Sequence, residues 1–171
     1  MDRNWYVIHT KPKCEQKVYE QVVRKGIESY LPLIDTIRYW SDRKKKVKVP
    51  LFPGYVFING DEKERYDAIA NTAGALRYIM YSKRPAVVSD DEIRSIRISM
   101  QIPEKVRIEQ KNLVLGDMVE ITHGVFRGLK GYITQTRGNY KLIVNITELE
   151  TSFSIQLSTA EVNLVKHLNQ D

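Results

Sequence analysis

Along the chain, apolar residues change period several times. The opening run Trp5-Tyr6-Val7-Ile8 is aromatic and β-branched and predicts a buried strand. Thr10 and Pro12 supply a helix start, since proline is tolerated in the first turn. Cys14, Val18 and Val22 then recur at i, i+4 and i+8, with Tyr19 and Val23 widening the stripe, so an amphipathic helix runs to a glycine cap at Gly26. Cys14 lies on that apolar face and reads as packing rather than chemistry. Strand-like segments follow at 29–33, 37–40, 47–51 and 54–58. Asp61 and Glu64 have capping-box spacing ahead of a second helix carrying Tyr66, Ile69 and Ala70. A strand at 76–80 comes next. Ser89 and Glu92 repeat the capping-box signal, opening a third helix with Ile93, Ile96 and Met100 on one face. Strands interleaved with helices predict an α+β unit, with helices flanking an antiparallel sheet.

Residues 101–112 are mostly polar or charged, lack a usable period, and read as a linker. Beyond them the pattern is all β: Val119 and Ile121 alternate with polar residues, as do Leu142, Val144 and Ile146, then Phe153, Ile155 and Leu157. Gly124, Gly128, Gly131 and Gly138 fall between these runs, where tight turns need them. Short strands with glycine turns predict a small barrel, which hides its own edges. The expected organisation is therefore 1–100, a linker at 101–112, and a second domain at 113–171.

Charge adds an asymmetry. The net +6 comes wholly from residues 1–110, with 21 Lys/Arg against 15 Asp/Glu, while 111–171 carry 6 of each. The asymmetry suggests an anionic partner for the first domain, nucleic acid being the usual one, the alternative being a well-solvated basic surface. A single cysteine excludes an internal disulfide and any multi-cysteine zinc site. His9, His123 and His167 are widely spaced, and no nucleophile elbow, P-loop or dinucleotide-binding pattern occurs, so neither an enzyme nor a cofactor or metal site is expected. No apolar run approaches a bilayer span and no signal peptide opens the chain, which points to the cytoplasm with no membrane partner; a monomer is expected.

Two stretches resemble a known family. Trp5-Tyr6-Val7 followed by Pro50-Leu51-Phe52-Pro53-Gly54-Tyr55-Val56-Phe57 is similar to the N-terminal (NGN) domain of NusG transcription elongation factors. Gly116-Asp117-Met118-Val119-Glu120-Ile121, continuing through Gly124-Val125-Phe126-Arg127-Gly128-Leu129-Lys130-Gly131, resembles a KOW motif, whose second domain is a small all-β barrel. The resemblance implies an elongation or antitermination factor whose NGN domain binds the clamp helices of RNA polymerase's largest subunit. Phe52, Pro53, Gly54 and Tyr55 match the segment contributing to that contact, and Tyr6 is expected at the edge of the patch, with Trp5 in the core. For an isolated segment, filling the domain's own core is the blander account of Phe52 and Tyr55; the resemblance reverses it.

The run Asp42-Arg43-Lys44-Lys45-Lys46-Val47-Lys48 places five cations in one hairpin-like loop. With Tyr39 and Trp40 beside it, such a loop could follow the phosphates of upstream or non-template DNA and stack on an unpaired base; the alternative is a solvated tip that blocks edge pairing. In the second domain, Gly124, Phe126, Arg127, Gly128, Lys130 and Gly131 carry the KOW motif. The resemblance implies a second partner for this domain, such as ribosomal protein S10 or Rho. Thr147, however, stands where the family's partner-binding phenylalanine falls, which argues against those two. Trp40-Ser41-Asp42-Arg43-Lys44-Lys45 and Pro50-Leu51-Phe52-Pro53 look closer to specialised, operon-specific paralogues of the RfaH and UpxY type. A KOW-type RNA- or ribosome-binding module is the alternative, although it would be expected to concentrate its charge in the second domain rather than the first.

Overall fold

A computed structural model describes residues 2–109 and 116–168, which divide into two compact units, 1–90 and 91–171. In the first unit, β1 (Asn4–Thr10) leads into α1 (Glu15–Arg24), β2 (Glu28–Tyr30), β3 (Leu33–Tyr39), β4 (Lys44–Pro50), β5 (Tyr55–Gly60), α2 (Glu62–Ile69) and β6 (Ala75–Tyr78). Two short strands, β7 (Met80–Tyr81) and β8 (Arg84–Pro85), follow. The main sheet is antiparallel in the order β2-β5-β1-β6, while β3–β4 and β7–β8 form separate two-stranded hairpins.

Strand alternation gives this sheet two buried faces. Ile8, Val56, Ile58 and Tyr78 point to one side and close a core with Val18 and Val22 of α1, Ala68 of α2, and Ile27. Cys14 packs against the same cluster, as its place on the apolar stripe predicts. Val7 and Phe57 point the other way and are fully buried, and Trp5 is nearly so. Burial on both faces explains why β1 and β5 read as nearly continuous apolar runs rather than as clean alternation.

Local signals placed most elements to within a few residues. Asp61 and Glu64 form the expected capping box: the Asp61 side chain accepts the Glu64 N–H, and the Glu64 carboxylate accepts that of Asp61, both at 2.9 Å. The Arg3 guanidinium, 2.6 Å from Glu64, adds to these bonds; backbone hydrogen bonding first and Arg3 second hold the Glu64 carboxyl below its ordinary range. α1 begins at Glu15, later than Thr10 and Pro12 suggest, because Lys13 takes a positive φ that interrupts the entry.

The second unit contains α3 (Asp90–Ser99), a 3-10 turn (Pro103–Lys105), β9 (Val106–Glu109), β10 (Asp117–Ile121), β11 (Lys130–Thr136) and β12 (Asn139–Ile146). A second 3-10 turn (Thr147–Leu149), β13 (Thr151–Leu157), α4 (Thr159–Val162) and β14 (Val165–His167) complete it. Among the described residues, six strands form an antiparallel sheet in the order β14-β10-β11-β12-β13-β9. Residues 101–112, read as a linker, contain the first 3-10 turn and β9, whose Val106 is buried and pairs with Ile155; residues 110–112 lie outside the described chain. Leu142, Val144 and Ile146 are buried as their alternation predicts, yet Ile143 on the opposite face is buried too. On that face α3 lies close, the Glu92 carboxylate accepting the Thr147 N–H at 2.8 Å.

Candidate functional site

The segment Phe52-Pro53-Gly54-Tyr55 is a tight turn. Tyr55 N–H donates to the Phe52 carbonyl at 3.2 Å and Gly54 has φ +86°, the pattern of a type II turn with proline at its second position and glycine at its third. The turn is tied down from two sides. Gly54 O accepts the Thr10 N–H at 2.8 Å, and Gly54 N–H donates to the carboxylate of Glu15 at 2.7 Å. Glu15 opens α1 and is itself buried, so the helix start and the turn are locked together. Sequence reasoning missed this residue, since an acidic side chain in a first helical turn looks like ordinary dipole compensation and nothing in the spacing links 15 to 54.

The turn sorts its aromatics. Phe52 is 2% exposed and meets Phe57 edge-on at 5.8 Å, so its ring belongs to the core. Pro53 is exposed, and Tyr55 is half-buried with its ring 5.4 Å from that of His9. Tyr6 is not part of this group. It lies on the opposite sheet face, edge-on to Tyr78 at 6.0 Å, with the Arg65 guanidinium 5.6 Å from both ring centroids. The period of two in β1 explains the separation: His9 pairs with Tyr55, and residue 6 points the other way. Beside the turn is a cleft of about 480 Å³ with an apolar floor of Leu31, Leu33, Val49, Pro50 and Pro53, edged by Lys13, Arg38 and Lys48, with Glu15 and Gln16 completing the lining.

Most of the cations expected in a loop stand on a strand. Only Arg43 is in the loop 40–43; Lys44, Lys45, Lys46 and Lys48 belong to β4. The Tyr39↔Lys44, Ile37↔Lys46 and Asp35↔Lys48 pairs put Tyr39, Lys44, Lys46 and Lys48 on one face, and Arg38 and Lys45 on the other. Both faces of the ribbon are thus basic. Lys46 is neutralised by Asp35 at 3.0 Å, whereas among the described residues Arg43, Lys44, Lys45 and Lys48 meet no carboxylate within ion-pair distance. Tyr39 is 73% and Trp40 58% exposed, and the Lys44 ammonium lies 5.1 Å from the Tyr39 ring centroid. One face of that ring is therefore already engaged, leaving the other free for stacking.

In the second unit the KOW residues divide between scaffold and surface. Phe126 is buried, with Lys105 Nζ 5.6 Å from its ring centroid; Arg127 and Lys130 are exposed. Gly131, read from the sequence as a turn glycine, lies instead within β11 and is required by packing, because a Cβ there would sit 2.4 Å from the Ile143 carbonyl oxygen of β12. Thr147 heads the 3-10 turn after β12. Among the described residues no group of three or more His, Cys, Asp or Glu side chains could hold a metal ion, and no helix is long and apolar enough to cross a membrane.

Comparison with known proteins converges on the family whose motifs these residues carry. The family model described as transcription termination factor NusG matches residues 3–97. The transcription termination/antitermination protein NusG of Deinococcus radiodurans is 24% identical, over 92% of this chain and 98% of that protein. Its namesake from Thermus thermophilus is 27% identical, over 92% and 97%. A solved structure of Thermotoga maritima NusG shares the fold at 24% identity and a TM-score of 0.55, covering 99% of both chains. With more than half its length matched by that model, this chain belongs to the NusG family.

Proposed function

We propose that the chain is a transcription elongation and antitermination factor of the cytoplasm that binds the clamp helices of RNA polymerase through its first unit, an NGN domain. The observation that carries this reading is the braced Phe52–Tyr55 turn beside an apolar cleft with a basic edge. A helix pair offers a narrow apolar ridge with charged flanks. Tyr55 and Pro53 present rigid apolar surface to such a ridge, and Lys13, Arg38 and Lys48 face its carboxylates. Phe52 supports the turn from below, and Gly54 supplies the φ that aims Tyr55. Tyr6, on the far sheet face, serves the fold on this reading.

The β3–β4 ribbon follows the phosphates of upstream or non-template DNA through Arg43, Lys44, Lys45, Lys46 and Lys48, with Tyr39 and Trp40 available to unpaired bases. The second unit acts as a KOW barrel that recruits another protein, using the exposed Arg127 and Lys130. Thr147, where the family's partner-binding phenylalanine falls, argues against ribosomal protein S10 and Rho as that partner and suits a specialised, operon-specific paralogue.

Capture of core RNA polymerase by wild type and by folded Tyr55→Ala tests the proposal. Capture by wild type and its loss in the variant is the expected result. Equal capture would move the contact away from the turn. No capture by wild type would favour an RNA- or ribosome-binding module instead.

A further inference from the structure

A second basic and aromatic projection stands apart from the β3–β4 ribbon. After β6 the chain leaves the sheet edge, forms the β7–β8 hairpin, and returns to pair Val88 with Trp5. The base of this knob is fixed to β1. Ile79 N–H donates to Val7 O, Ala86 N–H to Ile79 O and Val88 N–H to Trp5 O, each at 2.9 Å, and Ala86 and Val88 are buried. The tip, in contrast, is exposed. Tyr81 is 71% and Met80 53% accessible, and Lys83 and Arg84 lie open to solvent.

Three features of the knob converge on one ligand chemistry. Between Asp67 and Asp90 the chain has no acidic residue, and among the described residues neither Lys83 nor Arg84 has an ion-pair partner. Tyr81 and Arg84 face each other across the hairpin, so ring and guanidinium share one face. The turn between them, Ser82-Lys83, takes φ of 47° and 67° without a glycine. That conformation normally selects Asn-Gly; here a strained turn holds a lysine at the tip.

We propose that the β7–β8 knob is a second contact for single-stranded nucleic acid, Lys83 and Arg84 taking adjacent phosphates while Tyr81 stacks on a base. This rests on the reading of the protein as a nucleic-acid-contacting factor and adds a site on a different element from the β3–β4 ribbon. A preorganised ring on an anchored hairpin binds with little ordering cost, and unpaired cations release counterions when phosphates approach.

The test uses the full chain and fluorescence anisotropy of a labelled oligothymidine across a potassium chloride series. For Lys83→Gln/Arg84→Gln, the slope of log affinity against log salt is expected to flatten by about 1.4, or roughly 0.7 per single-strand phosphate contact. Tyr81→Ala is expected to weaken binding about 5- to 150-fold, as loss of one base stack does. If Lys44→Gln/Lys45→Gln/Lys48→Gln flattens the slope and the knob variant does not, the knob is overturned while the ribbon stands. If neither variant changes it, both nucleic-acid readings fall. Acetylation of wild-type Lys83, read by mass spectrometry, gives a check that needs no variant: protection by saturating oligothymidine supports the site, and unchanged reactivity overturns it. A knob that captures poly-glutamate but not the oligonucleotide would also overturn it, in favour of an acidic protein.

Discussion

Removing one carboxylate at Glu15 should loosen both a helix start and the proposed polymerase contact. The group is 7% exposed, opens the first turn of α1, and accepts the Gly54 N–H at 2.7 Å. Glu15→Ala strips that N–H of its acceptor in a turn whose glycine already holds a positive φ. A hydrogen bond to a charged group contributes about 1.5–3 kcal/mol, and an acidic residue in the first helical turn about 0.3–1 kcal/mol more. Against these, alanine's better helix propensity returns a few tenths of a kcal/mol. The net loss is about 2–3 kcal/mol. At roughly 4–8 °C per kcal/mol for a unit of this size, the first unit should melt at least about 8 °C lower. Glu15→Gln keeps an acceptor without the charge and should fall between the two. Thermal unfolding followed by circular dichroism gives the ranking, and polymerase capture at a temperature where all three are folded gives the functional consequence. A Glu15→Ala protein melting within about 1 °C of wild type would refute the brace, because losing a hydrogen bond to a charged group alone costs about 1.5–3 kcal/mol.

Other perturbations address separate parts of the molecule. Gly131→Ala pushes a Cβ to 2.4 Å from a β12 carbonyl that is held in the ladder, so it should destabilise the second unit by about 1–3 kcal/mol, seen as a lower urea midpoint with polymerase capture unchanged. Lys44→Gln/Lys45→Gln/Lys48→Gln should flatten the salt dependence of single-strand binding by about 2, three phosphates at roughly 0.7 each; an unchanged slope would mean that the ribbon is only a solvated edge. The Glu161 pair offers a pH test. Burial pushes its carboxyl up, but the Lys105 ammonium at 2.8 Å and the Ser158 hydrogen bonds outweigh this and hold it below its ordinary value of 4.5. With the folded value depressed, the stabilisation is present above that value and lost as pH falls through it and below. The melting difference between wild type and Glu161→Gln should therefore be present at neutral pH and vanish in acid; a constant difference across pH would contradict the assignment.

The hairpins and turns show how far a sequence can be read. The 52–55 segment was legible as a turn because proline and glycine each restrict φ in a known way, and Asp61/Glu64 as a helix start because the capping pair is three residues apart. The fate of the aromatics was not legible. Phe52 and Tyr55 differ little as residues, yet the Phe52 ring packs edge-on to Phe57 in the core while Tyr55 lies half-buried beside His9, a distinction set by tertiary contacts that no local pattern carries. The place of Tyr6 was not legible either: the period of two along β1 puts its ring on the face opposite His9 and Tyr55. The cations of 43–48 looked like a loop because lysine-rich runs lack a hydrophobic period, whereas pairing with β3 made most of them strand residues on two faces.

By itself the sequence determined what local physics and motif spacing can determine: the helices α1 to α3, the strands of the first unit's main sheet, an all-β pattern in the later part of the chain, the proline–glycine turn at 52–55, the charge asymmetry and the family. Only the tertiary structure decided partnerships between distant residues. It placed the Glu15 carboxylate on Gly54, paired β9 with β13 from a stretch without period, and fixed the β7–β8 hairpin on β1 as an exposed basic knob. The physical reason is the same in each case. A backbone N–H, a sheet edge or an unpaired cation takes its meaning from what chain folding brings within a few ångströms, and no periodicity along the chain encodes that distance.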